Sequence, residues 1–342
     1  MKYMCGAFKE LGGGGEDAES HPMIYYAIKL MVDQLNVDRS KKKGSPISLA
    51  ARHAPREGSR FGWVFNKMAE MMFPYPATAR TTITCEAAKR KARQHMRSKV
   101  LAPLNKQLDT VQIKMAAGAK GEGEWDKINF NNVTSKTMRQ HSNAWQNVTK
   151  TGETRSSDNN RVACASNYKE HIGKALSGDK TAKVHGKRCN TYELVRDAIT
   201  STHSGGSDEN IKTDNDRINL QWKSNSEQNA GLGNMIPIAD VSGSMMNDEC
   251  IPLYNAIGLS IRVSEKTSPA FRNRIISFTE TPTWVKLDGD KTFCEKVNTV
   301  KNAPWGQSTN LHLAFQMILD GIQAAGMPPV DVENMAIVVF SD

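Results

Sequence analysis

Between Pro22 and Asn36 the apolar residues Ile24, Ala27, Ile28, Met31, Val32 and Leu35 recur at helical spacing and predict an amphipathic helix. A second short helix is expected from Ser45, with Pro46 in its first turn and Pro55 as its stop. Phe61, Val64, Phe65, Met68 and Met72 mark another helix face, ended by Pro74 and Pro76. Thr82 to Leu108 is helical in pattern, with Pro103 as a kink. Glu122 to Asn132 and Lys150 to Asn160 read as loops, and Thr134–Val148, Arg161–Leu176 and Tyr192–Ile199 as helices. Gln221 to Gly233 reads as an interdomain segment. Strand alternation is absent before residue 230, so this part is expected to be all helix, a bundle or a HEAT-like solenoid.

After residue 230 the pattern changes. Strand (234–240), helix (250–266), strands (273–279 and 282–287), helices (291–300 and 310–325) and strand (335–341) alternate as in an open α/β sheet. The expected organisation is therefore a leader (1–20), a helical domain (21–230) and an α/β domain (231–342). The final strand, Val338-Val339-Phe340, is expected inside the sheet, where it needs a further segment or a second chain beside it.

Charge separates the same two parts. Residues 231–342 hold 8 Lys+Arg against 12 Asp+Glu, a net of −4, and residues 1–230 hold 37 against 24, a net of +13. A basic half attracts polyanions, nucleic acid first. Lys89, Arg90, Arg93, Arg97 and Lys99 form the densest basic run, with Lys89, Arg93 and Arg97 at four-residue spacing on one helix stripe. Such a stripe can track phosphates; a solvated helix face is the plainer reading. Trp63, Trp125 and Trp145 are candidates for stacking on bases, or for the core. The six cysteines are scattered, with no Cys-x-x-Cys pair, as expected of thiols in a reducing compartment. Without a signal-like or membrane-length apolar run, the chain is expected off the membrane and in the cytoplasm, with nucleus or virion as alternatives.

Candidate chemistry concentrates at Asp240-Val-Ser-Gly-Ser244, directly after the apolar run Met235–Ala239. A carboxylate at a strand end followed by hydroxyls at alternate positions gathers hard oxygen ligands, suited to Mg²⁺, Mn²⁺ or Ca²⁺. The alternative is that Ser242 and Ser244 only cap the next turn. Downstream, Trp305-Gly-Gln-Ser-Thr309 precedes an amphipathic helix, and an apolar strand ends at Asp342. No phosphate-binding glycine loop is present; His312 reads as a helix-surface residue rather than a base, and His53 and His171 read equally as packed or functional. The expectation is a protein that is not an enzyme.

Strand–Asp-x-Ser-x-Ser, loop–Thr and strand–Asp, in that order, resemble the metal-ion-dependent adhesion site of von Willebrand factor A domains. The resemblance implies that Ser242 and Ser244 ligate a divalent cation, that Asp240 and Asp342 act directly or through water, and that Thr309 is a variable ligand. It also implies that a partner protein's carboxylate completes the coordination. The A domain is incomplete at its carboxyl end by comparison with that family. A basic helical domain followed by an A domain resembles the Ro autoantigen architecture, which implies binding of small non-coding or misfolded RNA. The strings Ile47–Glu57, Leu101–Asp109 and Arg161–Ala165 are closer to a related, uncharacterised family of plants, protists and giant DNA viruses. The function so implied is a Ro-like RNA-binding protein with a cation-dependent protein partner. The alternatives are an assembly protein of a large, even viral, particle and an adaptor for a ring ATPase.

Overall fold

The computed structural model describes residues 21–74, 82–118, 124–201, 207–228, 231–304 and 310–341. It divides into two compact units, Met1–Glu122 and Gly123–Asp342.

The first unit is a helical bundle. Helix α1 (Pro22–Ser40) starts with Pro in its first turn and buries Ile24, Ile28, Val32 and Leu35 along one stripe. Each such side chain contributes about 1.5–3 kcal/mol on burial. The stripe ends in Asp38, whose carboxylate accepts from the Ser48 amide at 3.1 Å, the Ser48 hydroxyl at 2.5 Å and Gln34 at 3.1 Å. Helix α2 (Ala50–His53) therefore begins later than expected, because Ser48 is turned toward Asp38. Helix α3 (Gly62–Met72) packs Val64, Phe65 and Met68 into the same core. Gly62 is required there, since a Cβ would lie 2.2 Å from the Glu57 carbonyl oxygen.

Helix α4 (Thr82–His95) runs into a π-helical turn, Met96–Leu101, and then into α5 (Ala102–Leu108); α6 (Val111–Gly118) follows. The wide turn has a local cause. Pro103 has no N–H for the carbonyl four residues back and its ring crowds that carbonyl. The Ala102 N–H instead reaches the Arg97 carbonyl, five residues back. The expected kink is thus absorbed as a widened turn with Met96, Val100 and Leu101 all buried.

The second unit begins with two 3₁₀ turns (Trp125–Lys127 and Phe130–Asn132) and helices α7 (Ser135–Trp145), α8 (Asn159–Leu176), α9 (Thr191–Ser201) and α10 (Asp208–Ser226). Phe130, Trp145 and Tyr168 meet at centroid distances of 5.1 to 5.7 Å. Trp125 and Trp145 are core residues, so neither stacks on bases; the Arg161 guanidinium lies 3.7 Å over the Trp125 ring. Helix α10, which the sequence pattern did not predict, runs to Ser226, into the segment 221–233 read as interdomain. Its inward face carries Thr213, Arg217, Gln221 and Asn225 beside Ile218 and Trp222, a pattern too polar to register as a buried face. Leu194, Val195, Ala198, Ile218 and Trp222 then share one core with Ala256, Ile257 and Ile261 and with the strand residues Ala239 and Ile275.

The sheet has strand order β3-β2-β1-β4, with β1 (Met235–Asp240), β2 (Arg274–Phe278), β3 (Thr283–Lys286) and β4 (Ala336–Phe340). Strand β1 pairs in parallel with β2 and with β4, while β2 and β3 form an antiparallel pair. Helices α11 (Asn247–Lys266) and α12 (Phe293–Lys301) cover one face. Helix α13 (Leu311–Ala324) covers the other, setting Ala314 and Ile318 against Ile236, Ile238 and Ile276. A capping box, Thr292 with Glu295, starts α12. A short helix, α14 (Pro329–Glu333), leads into β4. Among the described residues β4 is an edge strand, and Ile337 and Val339 remain 38% and 42% exposed. The architecture is an amino-terminal helical bundle followed by a mixed open sheet with interspersed helices.

Candidate functional site

Strands β1 and β4 run side by side in parallel; the connection leaving β1 passes through α11 on one face of the sheet to β2, and the one that arrives at β4 passes α13 on the other face. Open α/β sheets hold ligands outside the carboxyl ends of their strands, and β1 and β4 end side by side. Asp240 is the last residue of β1, and its side chain is among the buried polar groups at 3% exposure. One carboxylate oxygen accepts from the Ser242 amide at 2.8 Å, closing the turn after the strand. The other accepts from the Ser341 hydroxyl at 2.5 Å, which ties the ends of β1 and β4 together. The Ser242 and Ser244 hydroxyl oxygens lie 3.0 Å apart.

The fold therefore brings Asp240, Ser242 and Ser244 into one cluster of hard oxygens, with Ser341 as a member that sequence reasoning missed. Its one signal is a polar residue placed directly after the apolar strand. Thr309 and Asp342 lie outside the described residues. Among the described residues no group of three or more His, Cys, Asp or Glu could hold a metal ion. Asp240, Ser242 and Ser244 alone carry a single negative charge, few for a divalent cation. Downstream, Asp248, Glu249 and Cys250 take left-handed backbone angles, with φ of 50°, 56° and 61°. Three consecutive non-glycine residues in that region cost about 1–2 kcal/mol each. Helix α11 becomes regular only at Ile251 and Pro252, where proline suits a first turn. His312 is exposed on α13, consistent with a surface role.

The basic run is split by its neighbours. Arg93 pairs with Glu57 at 3.0 Å, Arg97 pairs with the same carboxylate, and Lys89 pairs with Glu86 at 3.4 Å. The hydrogen bond and charge of Glu86 raise the Lys89 ammonium above its ordinary value. Arg90 and Lys99 are exposed and make no ion pair among the described residues. The stripe expected to track phosphates is thus largely matched to acids of its own unit, and the open cations sit beside it. Surface pairs of this kind are worth about 0–1 kcal/mol, so a polyanion can displace them.

Cys164, Cys189 and Cys294 are buried thiols. Burial pushes them up to about 12, about 11 and about 12, so they stay protonated and unreactive at neutral pH. No helix among the described residues is long and apolar enough to cross a membrane.

Comparison with known proteins places the chain beside viral and uncharacterised sequences. It is similar to "Uncharacterized protein L728" of Acanthamoeba polyphaga mimivirus, at 29% identity over 321 residues. That alignment covers 92% of this chain and 50% of the relative, so the chain spans about half the length of the curated relative it matches. No solved structure matches. Residues 234–342 match a family model described as a domain of unknown function, DUF7788. A second model, described as a domain of unknown function, DUF2828, matches residues 22–228, more than half of the chain, and the chain belongs to that family.

Proposed function

We propose that the protein is a non-enzymatic assembly protein that holds a protein partner at the carboxyl end of its sheet. The observation that carries this reading is the cluster of Asp240, Ser242, Ser244 and Ser341 oxygens at the adjoining carboxyl ends of β1 and β4. In this reading the sheet is of the von Willebrand A type. Asp240, Ser242, Ser244, Thr309 and Asp342 would hold Mg²⁺, or Mn²⁺ or Ca²⁺, and the cation would receive a carboxylate from the partner. The second carboxylate answers the shortage of charge among the described ligands. The open edge of β4, with Ile337 and Val339 facing out, suits a strand from another segment or chain. The mimivirus relative favours a viral setting over a ribonucleoprotein one.

Mn²⁺ binding by the full chain tests the site. Asp240→Ala combined with Ser242→Ala is expected to abolish it, as read by calorimetry, with the helical circular-dichroism signal retained. Unchanged binding in the double variant overturns the assignment.

A second reading, RNA binding of the Ro-like kind, is favoured by the basic first unit. Residues 1–122 hold 21 Lys+Arg against 11 Asp+Glu, a net of +10. Retention of RNA by the full chain at low salt supports that reading, and its absence leaves the assembly reading alone.

A further inference from the structure

A cleft of about 500 Å³ opens between α9, α10 and α11, wholly within the second unit. Its lining is polar: Lys187, Asn190, Tyr192, Gln228, Asn255 and Arg262 face it, and no aliphatic side chain does.

Arg262 is the distinctive member. Its guanidinium sits 4.5 Å over the Trp222 ring, and Trp222 itself stacks on Phe293 at 4.0 Å with planes 12° apart. One terminal nitrogen donates to Asn225 at 2.6 Å, which fixes the plane of the fork. Nε is buried and has no hydrogen-bond partner. The nearby carboxylate of Glu265 is already engaged, by Lys296 at 2.8 Å and by the Trp222 indole N–H at 3.1 Å. Arg262 thus makes no ion pair among the described residues. A guanidinium oriented by stacking that lines a polar cleft, with one terminal nitrogen making no hydrogen bond among the described residues, is suited to receive an anion there.

The walls are pre-formed. Asn225 donates to the carbonyls of Gly186 and Cys189, both at 3.1 Å, and holds the loop that carries Lys187. That loop lies tight on α10, since a Cβ at Gly186 would sit 1.8 Å from the Gln221 carbonyl oxygen. A bare phosphate fills only a fraction of such a cleft; the amide side chains of Asn190 and Asn255 offer donors and acceptors to a polar body, and Gln228, whose Nε2 donates to the Lys187 and Asn225 carbonyls, offers an acceptor. We propose that this cleft binds a small polar phosphate ester, with Arg262 gripping the phosphate and Lys187 at the rim. A sugar phosphate and a nucleoside monophosphate share that chemistry, and the cleft is independent of the Asp240 cluster.

Calorimetry on the full chain with inorganic phosphate, ribose 5-phosphate, adenosine monophosphate and adenosine tests the proposal. One of the two esters is expected to bind at least about tenfold tighter than inorganic phosphate, and which one does so identifies the body of the ligand. Adenosine is expected not to bind. Arg262→Gln should weaken the ester about tenfold or more, as expected for loss of a charged hydrogen bond. Lys187→Ser and Asn255→Asp, at the rim and on α11, should each weaken it several-fold with an unchanged melting temperature. These two variants decide the matter if Arg262→Gln does not fold. Absence of ester binding at millimolar concentration, equal binding of adenosine, or unchanged affinity in the rim variants overturns the site.

Discussion

The two compact units solve the problem of charge in opposite ways. Among the described residues of the first, the buried polar side chains are Asp38 and Asn105, and the remainder of the core is apolar. Apart from Asp38, the charges of its described residues therefore lie outside the core, in a unit whose sequence has a net charge of +10. Residues 123–342 hold 24 Lys+Arg against 25 Asp+Glu, a net of −1, and there charges enter the interior. Arg217, 1% exposed, bonds Asp214 at 2.8 Å and Gln221 at 2.6 Å. Arg139 holds Asp197 at 2.7 Å and Glu193 at 3.1 Å beside it. Surface charge that the fold does not depend on is free for binding. Buried charge is committed to the fold, and the fold then depends on every member of the network.

The sharpest way to break this contrast is Arg217→Met. It leaves the partly buried Asp214 carboxylate without its main partner, a change expected to cost at most about 3 kcal/mol, the lower end for a fully buried pair. Chemical denaturation followed by hydrogen exchange should show the loss in α7 to α10, with α1 to α5 protected as before. Equal loss in both units would remove the distinction.

Acid probes the same network with a smaller effect. Burial alone would raise the Asp214 carboxyl, but the charge of Arg217 and hydrogen bonds from Arg217 and Ser142 hold it below the usual carboxylate range. Its folded value lies under the unfolded value of about 3.9, so its stabilisation is complete above about pH 4. It is lost as pH falls through the folded value. Exchange in α10 is expected to accelerate below about pH 4. In the first unit that sensitivity should reside in Asp38, where burial also opposes ionisation but hydrogen bonds from Ser48 prevail. Asp38→Asn should remove the acid response of α1 alone.

The smallest expected effect lies on the surface. If the first unit binds RNA, Arg90→Ser with Lys99→Ser should flatten the dependence of log affinity on log salt by about one unit per lost phosphate contact. Arg93→Ser should change it less, because Glu57 already answers that charge. A larger change from Arg93 than from Arg90 would show that the acid pairs open on binding.

The same division explains what could be read in the chain beforehand. Helices α1 and α3 were legible because their buried positions are apolar and periodic, as in Ile24, Ile28, Val32 and Leu35, and the four strands because each is a short run rich in apolar residues bounded by polar or turn residues. Asp240, Ser242 and Ser244 were legible because a carboxylate and hydroxyls follow an apolar strand directly. Helix α10 was not, since Arg217, Gln221 and Asn225 are buried through partners distant in sequence. Gln221 donates to the carbonyl of Ser135, and Asn225 to those of Gly186 and Cys189. The Arg262 cleft was hidden for the same reason, being assembled from three helices.

The widened turn at Met96–Leu101 has a consequence for how the chain tolerates changes of length. A π turn carries one residue more than a regular helix would use for the same rotation. Ser98 lies in it, exposed, with its hydroxyl bonded back to the Gln94 carbonyl. The turn keeps Ala92 and Met96 on one side of it, and Leu101 and Leu104 on the other, turned toward a common core. A relative with one residue fewer in this turn must either rotate α5 by about 100° or move its core positions by one. The spacing between the Ala92–Met96 and Leu101–Leu104 pairs is therefore a register mark by which other members of the family can be aligned.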